Sequence, residues 1–165
     1  LPLTLRQAND DDAPELVRLH MYAGFRLTQQ FGQGPWTGGM TVKGLQFEMG
    51  RSTVYAACEG GAILGTFALS TRKPWSIDAS FFTKVRRPLY LTSMAVDPAH
   101  QRRGVGSFCI SEARRLAQEW PADAIRLDAW DADAGAGGFY LKCGFRETGR
   151  NIYRNARLIY FEMLS

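Results

Sequence analysis

Leu89-Tyr90-Leu91-Thr92-Ser93-Met94-Ala95-Val96, followed after Asp97-Pro98-Ala99-His100 by Gln101-Arg102-Arg103-Gly104-Val105-Gly106, decides the fold of this chain. An apolar run leads into two glycines one residue apart, and the segment after them has helical periodicity. Glycines at that place let consecutive backbone N–H groups come close to a ligand. The helix dipole there favours negative charge, and Arg102 and Arg103 add full positive charges. Such a strand–loop–helix unit suits a phosphate group. Two familiar phosphate loops do not fit it. A P-loop needs GxxxxGK followed by Ser or Thr, which is absent, and a dinucleotide fingerprint needs a third small residue where Phe108-Cys109 stands.

Upstream, Leu3-Thr4-Leu5-Arg6-Gln7 alternates as a short strand does. Asn9 to Asp12 offers an N-cap cluster before a helix over Ala13 to Phe25, in which Leu16, Leu19 and Ala23 recur at helical spacing. Gly32 to Gly39 is a loop and Met40 to Met49 a second helix. Gly60-Gly61 separates strands Thr53 to Glu59 and Ala62 to Ser70, a hairpin signal. Thr71 to Pro88 is a long aromatic and basic connection of the kind that is often functional or mobile.

Downstream of the glycine loop, Val105, Phe108, Ala113, Leu116 and Trp120 are expected on one apolar helix face. A strand over Ala124 to Trp130, a short helix over Ala134 to Cys143, and closing strands Phe145 to Gly149 and Leu158 to Met163 complete the chain. The order β-α-α-β-β-β-α-β-α-β-β predicts an α/β fold with one mixed central sheet, in a single domain over residues 1–165.

Hydrophobic residues make up 45% and charged residues 22%, the balance of a globular protein. The net charge of +4 and a pI near 9.2 suit an anionic ligand. The basic residues are spread rather than gathered in a tract, which argues against nucleic acid. Cys58, Cys109 and Cys143 are odd in number and without CxxC spacing. They argue against a disulfide scaffold and a zinc site and point to a reducing cytosol. Leu1-Pro2-Leu3-Thr4-Leu5-Arg6 has no signal-peptide pattern, and no apolar run approaches the ~20 residues of a membrane span. The expectation is a soluble cytoplasmic protein with no metal, no nucleic acid and no membrane partner.

Met94-Ala95-Val96-Asp97-Pro98, two residues, then Gln101 to Gly106 resembles the acetyl-CoA pyrophosphate loop of the GCN5-related N-acetyltransferases. That family's pattern is Gln/Arg-x-x-Gly-x-Gly/Ala after a Val-x-Pro strand end. Phe139-Tyr140-Leu141-Lys142-Cys143-Gly144-Phe145 is similar to its Phe-Tyr-x-Lys-x-Gly-Phe helix end. The resemblance covers the chain by order of elements and is specific over residues 88–146. It implies a mixed, mostly antiparallel sheet flanked by helices, and acetyl transfer from acetyl-CoA to an amine by direct attack in a ternary complex. By the same resemblance, the backbone of Met94, Ala95 and Val96 would bind the pantetheine arm as an added strand. The N–H groups of Gln101, Arg102, Arg103, Gly104, Val105 and Gly106, with Ser107, would hold the pyrophosphate. Tyr140 would stand near the sulfur as proton donor. Asp133 occupies a place where the family often has Asn against the pantetheine, and an ionised Asp accepts hydrogen bonds but cannot donate them.

Each position also has a structural alternative. Gly104 and Gly106 could shape only a turn, Arg102 and Arg103 could be solvated, and Tyr140 could be a core tyrosine. Asp133 could cap a helix, and Gly144 is expected to end one in a left-handed conformation. Asp128, Asp131 and Asp133 form an acidic cluster that could hold a cationic acceptor, take its proton, or be solvated. Alternation puts Asp128 and Trp130 opposite Ile125, Leu127 and Ala129. Neither His20 nor His100 has a visible partner, and Leu89 to Met94 offers no Glu, so no general base is assigned. Cys143 suits helix packing better than an acyl-cysteine. Phe25, Phe31, Trp36, Trp75, Phe81 and Phe82, interspersed with Lys73, Lys84, Arg86 and Arg87, suggest a small amine with an apolar or planar body and disfavour a polycation. A peptide amine stays open, as do a homodimer and a catalytically idle acyl-CoA sensor of the same fold.

Overall fold

The computed structural model describes residues 2–165; Leu1, first in the N-terminal segment above, lies outside them. The elements are β1 (Leu3–Gln7), α1 (Ala13–Phe31), α2 (Val42–Met49), β2 (Thr53–Glu59), β3 (Ala62–Ser70), β4 (Pro88–Val96), α3 (Val105–Glu119), β5 (Ala124–Trp130), α4 (Gly137–Lys142), β6 (Arg146–Tyr153) and β7 (Ala156–Leu164). The strands form one seven-stranded sheet in the order β1-β2-β3-β4-β5-β7-β6. Among the described residues only β4 and β5 run parallel; every other neighbour is antiparallel. The parallel pair is joined by the α3 crossover, as a parallel connection requires. Among the described residues, no helix is long and apolar enough to cross a membrane.

The sheet has two covered faces. On one, α3 and Tyr140 of α4 pack over Phe67, Leu89, Leu91, Ile125, Leu127 and Phe161. On the other, α1 and α2 cover Val54, Ala56 and Ala68, while Ile77 and Phe82 of the β3–β4 connection cover Tyr90 and Tyr160.

Four sequence expectations shift, each for a physical reason. Helix α1 runs to Phe31 rather than Phe25, ending where Gly32 takes φ 84°. Its buried residues stop at Leu19, while Met21, Tyr22, Phe25 and Phe31 are exposed. Apolar periodicity reports burial, and burial covers only the first half of this helix. Helix α3 rests on the sheet through Val105, Cys109, Ala113 and Ala117, with Ile110 beside them. Phe108 and Leu116 are half-buried and Trp120 is exposed, because small residues one turn apart let the helix lie close. Helix α4 is shorter than Ala134 to Cys143. The β6 and β7 strands are longer than expected and meet at Arg154 (φ 48°) and Asn155 (φ 66°), a left-handed pair without glycine.

Candidate functional site

Strand β4 is where the sheet comes apart. It ladders with β5 only through Pro88↔Ala124, Leu89↔Ile125 and Tyr90↔Arg126. Beyond Tyr90 it pairs with β3 alone, while β5 continues beside β7 to Trp130. The strands therefore separate toward their C-terminal ends. A β-bulge lies in the separated part: Ala68↔Thr92 is followed by Thr66↔Ala95, so β4 spends one residue more than β3. Ser93, with φ 53°, marks that place. The bulge reverses the side-chain parity. Leu89 and Leu91 face α3 before it, and Met94 and Val96 face α3 after it. The sequence carries this signal as a switch from odd to even apolar positions, which the plain reading as one strand misses.

The loop after β4 is pinned at its start. Asp97 donates its N–H to Leu64 O at 2.8 Å, and its side chain accepts from Ala99 N at 2.9 Å. Arg102 (φ 64°) and Gly104 (φ 82°) are left-handed, and α3 begins at Val105. A side chain at Gly104 would strain that turn. The first N–H groups of α3 have no intrahelical acceptor, and no side chain caps them. Arg103 reaches back to Glu59 at 3.3 Å and to His100 Nδ1 at 2.6 Å. Arg102 is exposed and forms no ion pair among the described residues. Gln101 and Ser107 are exposed beside it.

Tyr140 stands at the other end of the same opening. It is 6% exposed, its ring packed among Phe139, Phe145 and Phe161, with its hydroxyl 3.6 Å from Met94 Sδ. Burial pushes the phenol above its ordinary range, and the nearby Asp128 charge adds to that, so it stays protonated at neutral pH. A Cβ on Gly106 would lie 3.0 Å from Phe139 and 3.8 Å from Met94. Glycine at 106 thus lets α3 approach this corner, and Met94, Gly106 and Tyr140 converge there. Gly144 ends α4 with φ 100°, as the sequence suggests. Asp133 does not cap it. Ala136 holds the cap position without a side-chain bond, and Asp133 is an exposed loop residue. Cys143 is half-buried, and burial raises its thiol; Cys109 is pushed up to about 12 by burial.

The three aspartates do not act as one cluster. Asp131 is paired with Arg150 at 3.3 Å and lies 3.9 Å from Arg157. Asp128, on the α1/α2 side of the sheet, accepts from the Ser76 hydroxyl at 2.6 Å, and burial raises its pKa. Trp36 meets Trp130 edge-on with centroids 5.6 Å apart on that side. His20 of α1 is pushed down to about 4 by burial and stays neutral. Glu48 of α2 was not singled out by sequence; its Oε1 is buried without a hydrogen-bond partner among the described residues.

The β3–β4 connection is docked through Ser76, Ile77, Phe82 and Thr83. Buried Arg126 donates to Thr83 O at 2.6 Å and Tyr90 Oη at 3.1 Å and lies 3.6 Å from Glu162. Glu162 also accepts from Thr83 Oγ1 at 2.6 Å and Arg146 at 3.1 Å. Phe82 is buried under Arg126, and the Tyr160 hydroxyl donates to Ser76 O at 2.5 Å. Lys73 is used internally, donating to Ile77 O at 2.6 Å, whereas Trp75 is 84% exposed. Of the aromatic residues expected to wall an acceptor site, Phe82 belongs to the core.

The sheet parts at a bulged β4, a glycine turn opens a helix beside the parting, and a buried tyrosine stands at its foot, all within one α/β domain. Residues 21–145 match the model of the Acetyltransferase (GNAT) family, and the chain belongs to that family. Its fold is shared with yncA from Salmonella typhimurium, solved with its cofactor acetyl-CoA (17% identity, TM-score 0.71, covering 98% of this chain and 93% of that one). It is also shared with a ribosomal-protein-alanine N-acetyltransferase from Brucella melitensis (18% identity, TM-score 0.72, covering 98% and 99%). A third similar structure is a GNAT-family acetyltransferase from Listeria monocytogenes (21% identity, TM-score 0.71, covering 98% and 95%). No curated protein matches the sequence.

Proposed function

We propose that this protein transfers an acetyl group from acetyl-CoA to a primary amine of a small molecule or peptide. The observation that carries the reading is the Tyr140 hydroxyl, buried and protonated, 3.6 Å from Met94 where β4 leaves β5. Acetyl-CoA, when bound, supplies the acetyl group as a thioester with an electrophilic carbonyl carbon. The separated edge of β4 over Met94, Ala95 and Val96 has the free backbone to pair with an extended pantetheine arm. The N–H groups from Gln101 to Ser107, joined by the unpaired Arg102, suit a pyrophosphate. Asp133, exposed on the loop before α4, is free to accept from the pantetheine and cannot donate.

Tyr140 gives its proton to the departing sulfur and regains one from the nitrogen that has attacked. Its raised pKa keeps that proton in place until negative charge develops beside it. The amine arrives from the α1/α2 side, where Asp128 and the Trp36–Trp130 pair lie. Holding amine and acyl carbon together provides most of the acceleration.

Acetyl-CoA is expected to raise Tm by mass action on the native state. Tyr140→Phe is expected to keep that shift and lose about 100-fold or more in kcat with a competent amine. Failure of CoA thioesters to bind would overturn the reading. Binding without turnover on a broad panel of amines would leave an acyl-CoA sensor.

A further inference from the structure

Helix α2 docks on the sheet through Leu45, which is 1% exposed, with Val42 and Met49 beside it. Glu48 follows Leu45 by three residues and so lies on the packed side of a helix whose Lys43 and Gln46 face solvent. A carboxylate placed there loses hydration and normally finds a cation or several donors. Glu48 finds neither. Its Oε1 is buried and unpartnered among the described residues, and the Ser93 side chain is the group that partly offsets the effect of burial on its pKa.

Ser93 is the bulge residue of β4, and the next residue, Met94, points to the opposite face and meets the Tyr140 hydroxyl. Glu48 and Tyr140 therefore reach adjacent residues of one strand from the two sides of the sheet. They do so where β4 has no β5 neighbour to block passage between those sides. One group is a proton acceptor on the α1/α2 side, and the other is a proton donor on the side of the glycine loop.

We infer that Glu48 is the catalytic base: its carboxylate holds the acceptor's ammonium group at the parting of β4 and β5 and takes one N–H proton from it. The N–H electron pair stays on nitrogen as the lone pair that attacks, and the resulting carboxylic acid returns its proton to solvent. The assignment rests on the amine-acetylation reading above. Burial raises the Glu48 pKa and Ser93 partly restrains it, with no charged neighbour entering, so the carboxylate is a stronger base than an exposed one. His20, on the sheet-facing side of α1, is neutral and adds no charge. Asp128 on β5 is likewise raised by burial and restrained by one serine, Ser76, but unlike Glu48 it has no oxygen buried without a partner among the described residues.

The test uses the full chain, acetyl-CoA, and a panel of phenethylamine, tryptamine, spermidine, phosphinothricin and a peptide beginning with alanine. With the best acceptor, Glu48→Gln is expected to lower kcat about 100-fold or more and to abolish the acidic limb of the kcat/KM pH profile. The Tm rise given by acetyl-CoA should be unchanged, and Glu48→Asp should restore part of the rate together with the limb. Carbon-13 NMR of labelled glutamate side chains should show one carboxyl titrating above the rest in the wild type and missing in Glu48→Gln. Wild-type turnover and pH profile in Glu48→Gln, or no glutamate titrating high, overturns the assignment alone. A wild-type protein that binds acetyl-CoA but acetylates no amine overturns the functional reading and the assignment with it. If Glu48→Gln fails to fold, Glu48→Asp and the wild-type titration decide between the same outcomes.

Discussion

Glu162 and Glu48 lie on the same side of one sheet and are treated in opposite ways. The Glu162 side chain, fully buried, meets the Thr83 hydroxyl and N–H and Arg146 by hydrogen bonds and Arg126 as an ion pair at 3.6 Å, so both oxygens have partners. Arg126 Nε itself has no hydrogen bond among the described residues. Glu48 has Ser93 and one bare oxygen. The first is a rivet: it fixes the β3–β4 connection to β7 and β5, and its charge is spent on holding. The second is held in place by its helix and leaves its charge unspent. A carboxylate whose oxygens hold a connection in place has little left to offer a ligand, whereas one left open has more.

That contrast can be broken most forcefully at the rivet. Glu162→Ala leaves Arg126 buried without its counter-charge, and a loss of about 3–5 kcal/mol is expected, read as a lower denaturation midpoint in urea. A loss under 1 kcal/mol would show that the pair is not what anchors the connection. At Glu48 the sign should reverse. Burial raises its folded pKa above the unfolded one, so its contribution is favourable below the ordinary Glu range and lost as pH rises through the folded value. Glu48→Gln should then stabilise the protein by about 1 kcal/mol at pH 8, a Tm gain of about 2–4 °C, shrinking toward pH 4. A gain that grows as pH falls would contradict the burial argument.

The same distinction between spent and unspent charge separates the two loop arginines, with a smaller effect. Arg102→Ala is expected to weaken acetyl-CoA binding about fivefold at low salt and less at high salt. Arg103→Ala, whose guanidinium Glu59 and His100 already hold, should change it less. Equal losses measured by calorimetry would erase the difference.

Local features were the legible ones. Strands β1, β2, β3 and β5 follow from alternation and turn residues to the residue, and the glycine loop and the Phe139 to Phe145 segment each lie within one short stretch. Long-range placement was not legible. Nothing within Val42 to Met49 tells that Glu48 will meet Ser93, because that depends on which strand α2 lies over. The paired fates of Arg126 and Glu162 depend on β7 inserting between β5 and β6. The acidic cluster misled for the same reason: nearness in sequence placed Asp128, Asp131 and Asp133 together, while strand alternation and the arginines of β6 and β7 draw them apart.

Three residue pairs join β1–β4 to β5–β7 within the sheet. In mechanical terms the protein is two leaves meeting at a short seam, with the far end of the seam gaping. A linear ligand laid along Met94 to Val96 lengthens that seam and turns two leaves into one plate. The empty protein should accordingly be softest in shear between β4 and β5, and a ligand there should act as a splint as much as a reactant.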